Sequence, residues 1–121
     1  MRVFYWCPFI SNVATINAVI YSALSLYFII ENNLVNDQGE INNFFDLVIK
    51  SQKEREIKNL IIYKKAMFNA DKITENEILD ILNPILKSES VWKSHALLLM
   101  ADYFEHSNKL IKSKDFLEEI V

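Results

Sequence analysis

The residues with chemistry to offer in this 121-residue chain are two histidines, one cysteine and scattered carboxylates. His95 and His106 stand eleven positions apart. On one helix face that is three turns, or roughly 16 Å, too far for one metal ion to be shared. Asp102 precedes His106 by four residues, the spacing of a surface pair on a helix. Cys7 excludes an internal disulfide because it is alone, and a lone cysteine reads first as a small apolar residue. Only an unplanned tertiary contact would make Cys7 and His95 a nucleophile and base. GxGxxG, P-loop, HExxH, CxxC and GxSxG patterns are all absent, and a single Gly cannot build a phosphate cradle of backbone amides. The sequence therefore implies no catalysis, no cofactor and no metal.

The elements that would carry these residues are helices. One Gly and two Pro are too few for the turns of an all-β protein, whereas 51% hydrophobic residues suffice for a core. The net charge of −3 is spread along the chain. Lys50, Lys53, Lys58, Lys64 and Lys65 alternate with Glu54 and Glu56, which describes a solvated helix surface and not a nucleic-acid face.

The first thirty residues stand apart. No charge occurs between Val3 and Ile30, so residues 3–30 read either as a buried helix or as a membrane anchor, of which Val13 to Ile30 is the most apolar part. Residues 1–9 are aromatic and β-favouring up to Pro8, and Ser11 or Asn12 is placed to cap a helix from Val13. Residues 1–20 are thus expected to be an irregular or strand-like segment followed by a helix start.

Beyond them the spacing predicts an all-α chain of three antiparallel hairpins, about 21–50, 54–87 and 90–121. The first has a helix Tyr21–Asn33, a turn at Asn36-Asp37-Gln38-Gly39, and a helix Glu40–Lys50 with Ile41, Phe44, Phe45, Val48 and Ile49 on one stripe. The second has Glu54–Ala70 and Glu75–Lys87, with Thr74-Glu-Asn-Glu77 as a capping box and Pro84 set to kink or shorten its second helix. The third has Ser90–His106, capped by Ser88 or Ser90, and Lys109–Val121 with Leu110, Ser113, Phe116, Leu117, Ile120 and Val121 on its apolar face. Trp92 and Tyr103 read first as core and second as interface anchors. Phe45, Ile81 and Phe116 recur at 36 and 35 residues, as do Ile49, Ile85 and Ile120; Ala66 and Ala101 are 35 apart. Such a period belongs to stacked helical hairpins, none of which can bury its stripe alone.

Met100-Ala101-x-x-Phe104 resembles the large, small, aromatic core of a tetratricopeptide helix. Tyr63-Lys-Lys-Ala-Met-Phe68, Leu82-Asn-Pro-Ile-Leu86 and Ser90-Val-Trp-Lys-Ser-His-Ala-Leu97 resemble a bacterial tetratricopeptide-like family related to YfgM. That resemblance covers residues 21–121. It implies a short solenoid that binds other proteins or peptides, attached to the inner membrane and facing the periplasm, as an ancillary factor in envelope protein export or folding. A soluble cytoplasmic protein is the alternative location. The stretch Arg2-Val-Phe-Tyr-Trp-Cys-Pro-Phe-Ile-Ser-Asn-Val-Ala-Thr-Ile-Asn-Ala-Val-Ile20 resembles the start of a GT-B group 1 glycosyltransferase, which implies a truncated or fused fragment as a second reading.

With Ala66 and Ala101 as the small positions, the groove lined by the first helices would show Leu60, Tyr63, Met67, His95, Leu98, Asp102 and Glu105. Leu117-Glu-Glu-Ile-Val121 ends on an apolar face, and repeat arrays usually finish on a polar cap. Either the chain is a fragment or the open end packs on another subunit, and self-association through that last helix is the expectation.

Overall fold

The computed structural model describes residues 21–121. They form six helices and no strand. The strand-like reading of residues 1–9, the part of the 3–30 anchor reading that falls on residues 3–20, Cys7 and the glycosyltransferase-like stretch lie outside the described residues. Among the described residues no helix is long and apolar enough to cross a membrane. The chain divides into two compact units, and the described parts of these are residues 21–53 and 54–121.

The first unit is one hairpin. Helix α1 covers residues 21–31, and α2 is Gln38–Ser51. Ala23 and Leu26 of α1 and Ile41, Phe45 and Val48 of α2 are buried. The reversal after α1 is made at Asn33, with φ at 51°. The Leu34 amide donates to the Ile29 carbonyl and the Asn33 amide to that of Ile30. This is a Schellman cap with asparagine in the left-handed position that glycine usually takes. The turn expected at Asn36–Gly39 is corrected. Gln38 and Gly39 already belong to α2, because the Asp37 carboxylate accepts from the Gly39 and Glu40 amides and starts the helix there.

The second unit holds α3 (Arg55–Asn69), α4 (Glu75–Leu86), α5 (Lys93–His106) and α6 (Leu110–Ile120). α3 packs on α4, α4 on α5, α5 on α6, and α3 also touches α5. The capping box at Thr74 and Glu77 forms as expected. α4 ends at Leu86, two residues beyond Pro84. Asn108, with φ at 57°, closes α5 as Asn33 closes α1: the Lys109 amide donates to the Phe104 carbonyl and the Asn108 amide to that of Glu105.

Buried positions recur along the helices at fixed spacings. Ile61, Ile62, Ala66 and Asn69 on α3 are buried, and so are Ala96, Leu97, Ala101 and Phe104 on α5, each 35 positions later. The other two sets chosen from sequence need correction. Phe45 is buried, but Ile81 and Phe116 are only half-buried; Ile85 is buried, while Ile120 is exposed. The buried triad Ile41, Phe45, Val48 of α2 answers instead to Ile78, Leu82, Ile85 of α4, 37 residues on.

Two further expectations are corrected. Neither Ser88 nor Ser90 caps α5, which begins at Lys93 with Trp92 before it and no side-chain cap. The Ser90 hydroxyl instead donates to Glu56 on α3 (2.8 Å) and accepts from the Asn59 amide and the Trp92 backbone. The apolar face of α6 is not a core face either. Only Ser113 is buried and Phe116 half-buried, while Leu110, Ile111, Leu117 and Ile120 are exposed. α6 packs on α5, and no other described helix packs substantially against it.

Three carboxylates tie the second unit together. Glu56 accepts from Ser90 and from the Val91 amide and pairs with Arg55. Glu75 pairs with Lys109, just ahead of α6, and with Lys112 on α6. Glu77 serves the capping box. All three pKa values are held below the usual carboxylate range, by the Ser90 hydrogen bond first, by Lys109 first, and by the Thr74 amide first, respectively. A depressed folded-state pKa contributes stability above the unfolded value and loses it as pH falls through the folded value. The melting temperature should therefore be level near neutrality and fall below about pH 4, where glutamate ordinarily titrates. Circular dichroism melts from pH 7 to pH 3 check this; a level profile throughout would contradict it.

Candidate functional site

The candidate surface follows from the shared register of α3 and α5. Each turns its Ile61- or Ala96-side stripe to the core, so the opposite faces of the two neighbouring helices are free to act together. Tyr63 on α3 and His95 on α5 meet edge to face, with ring centroids 6.0 Å apart. Trp92, just ahead of α5, stacks on Tyr63 at 6.2 Å and lies 5.3 Å from His95. Three aromatic rings thus cluster between two helices, with Tyr63 and Trp92 half-buried and His95 exposed. Burial pushes the Tyr63 hydroxyl pKa up, and the charge of Asp102 adds to that, which places Asp102 within electrostatic reach of the cluster.

Further toward the carboxyl ends of both helices lies an open cleft of about 410 Å³. Its apolar lining includes Ile73, Leu99 and Tyr103; its polar lining includes Asp71, Asp102 and His106. The Tyr103 hydroxyl donates to the Ile73 carbonyl at 2.9 Å, which fixes the wall between α5 and the α3–α4 loop. Asp102 and His106 share this cleft, but no hydrogen bond or ion pair joins them, so the surface pair suggested by their spacing is not made. A smaller cavity of about 250 Å³ lies in the first unit, between α1 and α2, with Leu26, Ile29, Phe44 and Leu47 in its lining.

Of the residues read from sequence, Tyr63 and His95 are brought into ring contact, and Asp102 lies within electrostatic reach of Tyr63. Leu60 is half-buried on α3. Met67 and Leu98 are large apolar side chains left about half exposed, at 46% and 47%. Glu105 is exposed on α5. Sequence reasoning gave Trp92 first to the core, where helical spacing put it. It missed Asp71 and Ile73 because they lie in the α3–α4 loop, where periodicity carries no information. Among the described residues no group of three His, Cys, Asp or Glu is placed to hold a metal ion.

No family model, curated protein or solved structure matches this chain.

Proposed function

We propose that this chain is a helical-repeat scaffold of the tetratricopeptide kind, which works by holding a segment of another protein along α3 and α5 and not by catalysis. The observation that carries the reading is the 35-residue correspondence of buried positions on those two helices, with Tyr63, Trp92 and His95 clustered outside the core between them. Rigid aromatic side chains that are partly covered supply contact area at small cost in conformational entropy, and such residues dominate interface energies.

The test is selection from a random peptide display library on the immobilised chain. Peptides selected by the wild type should bind the Tyr63→Glu and Leu98→Glu variants at least about tenfold more weakly, the loss expected at an interface hot spot. The melting temperature of both variants should stay within a few degrees of wild type, since neither side chain is in the core. Selected peptides that bind both variants as well as wild type would remove the groove from the reading.

The same reading extends to self-association through α6. Leu110, Ile111 and Leu117 are 65%, 81% and 44% exposed, an apolar surface of the kind that marks an interface. Light scattering across a concentration series should show mass rising with concentration, and Ile111→Lys should abolish the rise. A constant monomer mass would end this part of the proposal.

A further inference from the structure

The cleft at the carboxyl ends of α3 and α5 is lined by two carboxylates and holds no lysine or arginine of its own, His106 being the one basic side chain in its lining. Asp71 and Asp102 bring two exposed carboxylates to its lining. α3 ends at Asn69 and α5 at His106, so the negative ends of two helix dipoles converge on the same space. α3 has no basic residue in its last turn, and α5 has only His106. The neighbouring lysines are engaged elsewhere. Lys72 lies over the Phe68 ring at 5.6 Å, and Lys109 and Lys112 both pair with Glu75. Between the polar groups, Ile73, Leu99 and the Tyr103 ring give an apolar wall that suits a short alkyl chain.

From this we infer that the cleft is the receptor for a lysine or arginine side chain of the bound protein segment. The alkyl stem packs on Leu99 and Tyr103, and the cationic head lies between Asp71 and Asp102. An arginine or lysine stem has the length to fill a pocket of this size while its head stays near solvent, where two carboxylates neutralise it. Asp102 also stands within electrostatic reach of Tyr63. The aromatic cluster therefore continues the site along the groove, and the preferred segment carries an apolar or aromatic residue close to its basic one. An acidic segment is disfavoured by the same field. This inference rests on the scaffold reading for the peptide, but the cation site itself can be tested without any peptide.

The experiment is a titration of the isotope-labelled full chain with n-butylammonium and n-butylguanidinium, followed by amide chemical shifts, with butyrate as the matched anion. The cations should shift Asp71, Ile73, Asp102 and Tyr103 with millimolar affinity; butyrate should not. The double variant Asp71→Asn, Asp102→Asn keeps the shape of the cleft and should weaken the cations about three- to tenfold, as expected for two exposed charges. Raising the salt from 20 to 200 mM should weaken wild type in the same direction. Equal shifts from butyrate, or unchanged cation binding in the double variant, would overturn the inference. The library selection separates the two proposals. Groove-binding peptides poor in lysine and arginine leave the scaffold standing and sink the basic preference. Cation binding in the cleft without any selected peptide leaves the site standing and sinks the scaffold.

Discussion

Replacing Phe104 with alanine is expected to lower the stability of the second unit by about 3–5 kcal/mol, the range for truncating a fully buried aromatic ring. Phe104 is 1% exposed. Its ring stacks on Phe116 of α6 at 5.5 Å with the planes 11° apart, meets Tyr103 edge to face at 5.7 Å, and carries the Lys112 ammonium 5.2 Å from its centre. One side chain therefore anchors α6 to α5 through stacking and a cation–π contact as well as through burial. Typical domains are stable by only about 5–15 kcal/mol, so the variant should be close to unfolding. Chemical denaturation of Phe104→Ala beside Phe104→Leu provides the check. The leucine variant should retain most of the stability, since it refills the volume. A loss below about 1 kcal/mol for the alanine variant would mean that α6 is held by its ion pairs and not by this ring.

The second large effect is expected at the two small positions. Ala66 and Ala101 are 0% and 1% exposed and lie 35 residues apart on α3 and α5, which the proposed repeat makes equivalent. Leucine at either site has to displace packed neighbours, which costs about 1–3 kcal/mol. Because the sites are equivalent by register, Ala66→Leu and Ala101→Leu should cost similar amounts when measured by urea denaturation. Glycine at either site should cost about 1 kcal/mol from helix propensity alone. A neutral Ala101→Leu beside a costly Ala66→Leu would show that the two helices do not share one packing environment, and the repeat reading would lose its main support.

Those two alanines also show what could be read from the sequence. Their spacing, the capping box at Thr74 and the pairing of helices were visible because each depends on residues near in sequence. The contact of Tyr63 with His95 joins two residues that the same 35-residue spacing had placed on one surface. Other features had no local signal. Ser90 looked like a helix cap, since serine before a periodic stretch usually is one, yet its hydroxyl serves Glu56 across 34 residues. Gly39 looked like a turn residue, but the Asp37 cap drew it into α2. The stripe on α6 matched an amphipathic helix perfectly well, and it stays exposed because burial depends on a packing partner that the stripe itself cannot specify. The match of Phe45 with Ile81 paired a buried residue with a half-buried one, while the neighbouring Leu82 is the buried position.

The neighbour-to-neighbour packing of α3 through α6 bears on how the chain reaches its folded state. Helices next to each other in sequence pack together, and α3 with α5 is the farthest pair with substantial contact. Contacts of such short sequence separation close small loops, so little chain entropy is lost before favourable burial begins. Proteins wired in this way fold on the microsecond to millisecond scale, hairpin by hairpin. α6, which buries only Ser113, joins an already formed α5 and should exchange its amide hydrogens well before the helices that Phe104 and Leu82 hold in place.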